Sequence, residues 1–285
     1  MKKFKFIEEK IFRALMFFST VFIVTSLALI IFSILHKGLP VLSWEMVSQT
    51  PKGGYYFGKE GGIVNAIVGS FYLSVSATFL ALFVSLPLAL FMNIYLKRFK
   101  IVINAIRFFL DLLWGVPSIV YGAFGFTIMI YFGLKASLIA GIFTVTLFII
   151  PIMVRAMDEV FKTVPVGLYE AALSLGSTRS ETAYRVFLKQ CYPGVITAVL
   201  LAFGRGIGDA ASVLFTTGFT DHIPTSLSQP TATLPLAIFF QLGSPIPEVQ
   251  ERAYAAAAVL TFFILAISIL ARLSSGRFQK NKINF

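Results

Sequence analysis

The sequence predicts an all-α polytopic membrane protein with six transmembrane helices and both termini on the cytoplasmic side. Three observations carry that reading. Of 285 residues, 57% are hydrophobic, with a mean hydropathy of +0.85. Only 13% are charged, against about a quarter in soluble domains. Six separate apolar stretches each reach the roughly 20 residues that a helix needs to cross about 30 Å of hydrocarbon.

The first stretch, Ile11–Leu35, is longer than the roughly 7–15 apolar residues of a cleaved secretory signal, and no small-residue cleavage site follows it, so it reads as a retained anchor. Residues 36–66 form a Gly-rich outer loop containing Gly53, Gly54, Gly58, Gly61 and Gly62, readable as a connector or as a surface for a delivery protein. The second stretch is Ile67–Leu96, and the third, Phe109–Phe132, contains Gly115-Val116-Pro117-Ser118, where Pro117 removes a backbone hydrogen bond and bends the helix. Pro87 and Pro151 read as kinks. The fourth stretch, Ala136–Ala156, has Arg155 near its end, which fits a cytoplasmic flank, an anion contact being the alternative. A segment from Met157 to Pro193 precedes the fifth stretch, Gly194–Phe219. A second outer loop, 220–252, is punctuated by Pro224, Pro230, Pro235, Pro245 and Pro247, and its apolar piece Leu234–Leu242 is too short to span, predicting a re-entrant or interfacial element. Ala253–Ala271 is the sixth stretch. The chain therefore divides into 1–35, the outer loop 36–66, and a core transmembrane domain 67–285 that includes the cytoplasmic segment 157–193.

Lysine and arginine placement fixes the orientation. The N-terminus, the loop after the second stretch, segment 157–193 with Arg155, and the tail together hold 18. The opposite loops hold five: Lys37, Lys52, Lys59, Lys135 and Arg252. The same distribution explains the net charge of +11 without nucleic acid, because the basic residues flank apolar runs. The single cysteine, Cys191, excludes an internal disulfide framework and reads as a structural thiol. His36 and His222 stand far apart without ligand spacing, so no zinc site is expected. With no GxxxxGK[ST] loop, the chain is not expected to handle nucleotide, to be an enzyme, or to hold a cofactor.

Two places carry chemistry. In the fifth stretch stands Gly204-Arg205-Gly206-Ile207-Gly208-Asp209, whose spacing does not fit GxGxxG and which lacks a βαβ context. Arg205 lies 11 residues past Gly194, about 17 Å along a helix. A charge at that depth costs a few kcal/mol and must face protein or water. Asp209, one turn on, is placed to pair with it, with Gly204 and Gly208 as small residues at a close helix contact. The guanidinium fork suits a tetrahedral oxyanion, and Ser212, Thr216 and Thr217 could donate hydroxyls to it. A purely structural ion pair is the alternative.

The second place is the run Tyr169-Glu170-Ala171-Ala172-Leu173-Ser174-Leu175-Gly176, which reads as a short helix with small residues on its surface, stopped by Gly176 and followed by a second helix. Such a helix can dock closely in another protein's groove. The run resembles the EAA motif of ABC importer permeases: Glu170, Ala171, Ala172 and Gly176 match, Val186 and Leu188 stand for the later Ile and Leu, and Lys189 takes the proline position. Arg205, Gly208, Asp209, Ala211 and Leu214-Phe215-Thr216 resemble the matching run of phosphate-importer permeases, with Asp for Glu and with Thr and Pro replaced by Ala210 and Ser212. Gly61–Ser70 and Gly115–Gly122 also resemble that family, its PstA-type subunit more than the PstC-type.

The resemblance implies the type I ABC importer permease fold and transport of inorganic phosphate by alternating access across a bacterial or archaeal cytoplasmic membrane. It implies that Glu170–Gly176 couples to an ATPase subunit dimer (PstB-type). The other expected partners are a second permease subunit (PstC-type), a phosphate-binding protein outside (PstS-type) and the lipid bilayer. Alternatives are a sulfate or molybdate permease, the partner phosphate subunit, an ion-coupled secondary transporter, and an intramembrane enzyme. The last would need convergent acids, His or Cys at membrane depth, where the sequence offers only Arg205 and Asp209.

Overall fold

Long uninterrupted apolar runs can satisfy their backbone in lipid only as helices, and the chain folds accordingly. The computed structural model describes residues 2–52 and 60–279. Gly53, Gly54, Gly58 and Lys59 of the outer loop, with Lys280 and Lys282 of the tail, lie outside the described residues.

Helix α1 (Lys2–Gly38) is the first span, and its outer end packs on the last one, with Gly38 against the backbone of Tyr254 and the Lys37 ammonium 4.7 Å from the Tyr254 ring. The outer loop carries a short helix, α2 (Trp44–Ser48), capped by the Ser43 hydroxyl accepting from Met46 N–H, and an antiparallel ribbon of β1 (Pro51–Lys52) with β2 (Glu60–Gly61). Helix α3 (Val64–Ile94) is the second span. The third is broken: α4 (Lys100–Gly115) and α5 (Ser118–Tyr131) meet at Val116–Pro117 with a 95° bend. Pro117 thus does more than kink an otherwise straight Phe109–Phe132 helix. Its missing N–H and the extended Val116 end one helix and begin another.

Helix α6 (Leu138–Lys162) is the most enclosed span, packed by α3, α4, α5 and the later α9, and its Val145, Ile149, Met153 and Met157 are fully buried. Pro87 and Pro151 lie inside continuous helices. Helix α7 (Val166–Ser174) and α8 (Arg179–Glu181) follow, and α8 runs through a π-helical turn, Thr182–Phe187, into α9 (Leu188–Ile207). Helix α10 (Leu234–Leu242) occupies the stretch expected to be re-entrant. It is buried between α3 and α11 (Pro247–Gln279), its Leu234 N–H donating to the Ser70 hydroxyl at 2.8 Å. Among the described residues, five single helices are long and apolar enough to span, and the bent pair adds a sixth when its two halves are taken as one span.

The fifth span departs most from expectation. Helix α9 stops at Ile207, short of Phe219, and 208–233 runs as turns and irregular backbone. Such backbone is tolerated at membrane depth only inside protein or beside water. Here it caps α6, whose opening amides of Ser137, Leu138 and Ile139 donate to the carbonyls of Thr216, Gln229 and Leu227 at 2.8–2.9 Å.

Candidate functional site

The Arg205 side chain projects from the last turn of α9. The adjoining face of that helix, Ala198, Ala202 and Gly206, is buried, and a Cβ on Gly206 would lie 3.3 Å from Val145 of α6. Gly206 therefore serves the close helix contact expected of Gly204 and Gly208. A Cβ on Gly204 would meet nothing within 4 Å, so the space beside Arg205 is open. Leu201, Arg205 and Gly208, spaced four and three apart, form an exposed stripe on α9. The guanidinium carbon sits 5.4 Å from the Phe148 ring centre. Phe148 is the eleventh residue of α6, about 15 Å from its outer end, so the charge lies near mid-height of the bundle.

The expected Arg205–Asp209 pair is not made. Because α9 ends between them, the one-turn relation is lost, and among the described residues no ion pair within 4.0 Å joins the two. The Asp209 carboxylate instead accepts from Ser212 N–H at 2.7 Å, fixing the first turn of the irregular segment. Ser212 and Thr216 are buried, and Thr217 with them. The Ser212 hydroxyl has no hydrogen-bond partner among the described residues, while Thr216 donates weakly to the Ser212 carbonyl at 3.4 Å. Gly122 of α5 lets this segment approach: a Cβ there would lie 2.8 and 2.9 Å from the carbonyl oxygens of Ala211 and Ser212. The site thus has an exposed Arg205, a half-buried Asp209 and two hydroxyls behind them.

The EAA-like run occupies α7, as a short helix ended by Gly176. Glu170 and Ala171 are exposed and Ala172 is buried. The end is a Schellman motif: Gly176 N–H donates to Leu173 carbonyl at 3.0 Å and Ser177 N–H to Ala172 carbonyl at 3.2 Å, with Gly176 at φ +83. Thr178 then starts the next helix through a reciprocal capping box with Glu181. Leu173 and Leu175 stand 37% and 87% exposed, an apolar tip on the cytoplasmic face that this chain leaves uncovered. Tyr169 ties α7 back to the π-helical turn through an edge contact with Phe187.

Sequence reasoning missed a third cluster. Asp158, fully buried in α6, accepts two hydrogen bonds from Arg107 of α4 at 2.9 and 3.0 Å, one from Arg155 at 2.8 Å and one from Asn93 of α3 at 2.9 Å, and pairs with Lys162 at 3.1 Å. Arg155 also reaches Asp111 at 2.6 Å and Glu159 at 3.2 Å. Its guanidinium is thus committed to carboxylates, and Arg107 is a structural clamp as well as a topology charge. The legible signal was Asp158 itself, an acid between Arg155 and Lys162 on one helix face at the edge of an apolar run.

With this geometry in hand, known proteins fall into a consistent pattern. The family described as the binding-protein-dependent transport system inner membrane component matches residues 85–282. The phosphate transport system permease protein PstA of Haemophilus influenzae is 31% identical over 269 residues, covering 93% of each chain. Its namesake in Yersinia pestis is 34% identical over 246 residues, 85% of this chain and 81% of that one. A probable PstA of Methanocaldococcus jannaschii is 30% identical over 277 residues, 95% of both. Among solved structures, the inward-facing MetNI methionine ABC transporter matches with a TM-score of 0.60 at 17% identity, covering 75% of this chain and 95% of that one. A chain of an amino acid ABC transporter matches at 0.53 and 19%, covering 78% and 93%. These two likenesses speak for the fold. By the extent of the family match and of its relatives, the chain belongs to the binding-protein-dependent inner membrane components, the permeases of ABC importers.

Proposed function

We propose that the chain is the PstA-type permease subunit of an importer that carries inorganic phosphate across the cytoplasmic membrane by alternating access. Membership of its family implies an ATPase partner and a substrate-binding protein. We assign these as PstB-type and PstS-type subunits, with a PstC-type second permease. The observation that carries the reading is an arginine exposed at mid-height on α9, beside open space, in a chain similar along most of its length to proteins named as phosphate permeases. A permanently charged, forked donor at membrane depth is what a phosphate oxyanion needs and what lipid does not tolerate.

In this reading Arg205 contacts the anion or gates its passage, and Asp209 holds the turn that positions it. The Ser212 and Thr216 hydroxyls lie behind and meet the anion when the irregular segment shifts. Glu170, Ala171, Ala172 and Gly176 couple the movement to the ATPase.

ATP-dependent uptake of labelled phosphate into vesicles holding the whole importer and its binding protein tests the substrate. Arsenate should block uptake and sulfate should not. Transport of sulfate or molybdate with no phosphate uptake would leave the permease standing and overturn the substrate. The Arg205→Ala importer should assemble normally and lose phosphate uptake, and normal uptake would sink the role given to Arg205.

A further inference from the structure

On the cytoplasmic face, a cavity of about 360 Å³ opens between the end of α3, the start of α4 and the end of α6, with Val166 of α7 and Phe187 of the π-helical turn also in its wall. Its polar lining is Asn93, Lys97, Lys100, Asn104, Arg107 and Lys162. Four of these are cations. No acid stands among its lining residues, and Lys162 pairs with Asp158 and Glu159 at 3.1 and 2.7 Å. Arg107 spends Nε and Nη2 on Asp158. Lys97 and Lys100 remain exposed; the Lys97 ammonium rests 5.0 Å from the Tyr169 ring, a contact that leaves its N–H donors available. The first turn of α4 has no side-chain cap, so its amides add to the positive field at the cavity.

Exposed apolar side chains stand next to these lysines in the chain. Phe99, Ile101 and Val102 are 60%, 87% and 45% exposed where α4 begins. A basic cavity at the cytoplasmic membrane level, flanked by uncovered apolar residues, has the two halves of an amphiphile's complement: donors for a phosphate group, and a greasy surface for the chains below it. A free phosphate ion would use the first half only.

We propose that this cavity binds the phosphate headgroup of an anionic phospholipid, with Lys97 and Lys100 as its principal donors, and with Phe99, Ile101 and Val102 against the acyl chains. The site is separate from Arg205, which projects from α9 about ten α6 residues, roughly 15 Å, farther from the cytoplasmic end, judged by Phe148 and Asp158.

The test uses the assembled importer in nanodiscs of phosphatidylglycerol and phosphatidylcholine, released for native mass spectrometry. The probe is the retained ratio of the two lipids, for wild type and for the Lys97→Gln/Lys100→Gln variant, which spares the Asp158 cluster. Wild type should retain phosphatidylglycerol severalfold over its share in the disc, and the variant should lose most of that preference while keeping its thermal stability. An unchanged ratio in the variant would overturn the proposal. So would displacement of the bound lipid by millimolar inorganic phosphate, which would mark the cavity as a free-anion site.

Discussion

Asp158 holds the cytoplasmic ends of three helices to a single carboxylate. It is fully buried, and Arg107 from α4, Asn93 from α3 and Arg155 with Lys162 from its own helix converge on its two oxygens. A buried ion cluster gains little over apolar packing, yet removing one member leaves the others uncompensated, at a cost of about 3–5 kcal/mol. Asp158→Asn should therefore lower the melting temperature of the purified complex by several degrees, and Asp111→Asn, whose partner Arg155 keeps two other carboxylates, should lower it less. Equal melting of the Asp158 variant and wild type would show that the cluster does not hold these helices. The members lie at 93, 107, 111, 155, 158, 159 and 162, so no local window of sequence contains them. Counting charges for orientation used Arg107 and Arg155 correctly but could not see that they meet.

At the scale of elements, what the sequence made plain is what local rules decide. The end of α7 is one case: Gly176 sits at φ +83, where a residue with a Cβ costs about 1–2 kcal/mol, and nothing crowds the position, so conformation alone demands glycine. Gly176→Ala should fray the Schellman turn, shift the exposed Leu173–Leu175 tip, and reduce phosphate-stimulated ATP hydrolysis by the importer severalfold. Uptake should fall in parallel. Unaltered ATPase stimulation would separate the tip from coupling. The end of α9 is the opposite case. Residues 210–219 are as apolar as the helix before them, and hydropathy continues the span through them. What stops the helix is a local turn joined to a distant partner: Asp209 takes the Ser212 amide, and Thr216 gives its carbonyl to the start of α6, some 80 residues away in the chain. The Arg205–Asp209 pairing was inferred from a helical spacing, and it failed with the helix.

At the scale of the molecule, the exposed stripe of α9 sets a condition on what surrounds it. Leu201, 59% exposed, and Arg205 one turn on present an apolar group and a full charge to the outside of this chain at mid-height. Lipid would accept the leucine but not the arginine, whose burial in hydrocarbon costs a few kcal/mol at the least. The other side of the stripe must then be protein or a protein-bounded water path, and in the assembly proposed above the second permease would supply it. Single-cysteine chemistry can test this, because the only native cysteine, Cys191, is buried at 4% exposure and can be replaced by alanine. A thiol-anchored photoreactive label at Leu201→Cys should crosslink to the second permease subunit in the assembled importer, and the yield should change on adding ATP as the interface opens and closes. A label that reacts only with lipid would place α9 on the membrane side. It would also force Arg205 to snorkel about 15 Å to the nearest interface, farther than its side chain extends, so that outcome would overturn the arrangement of the whole subunit and not the role of one residue.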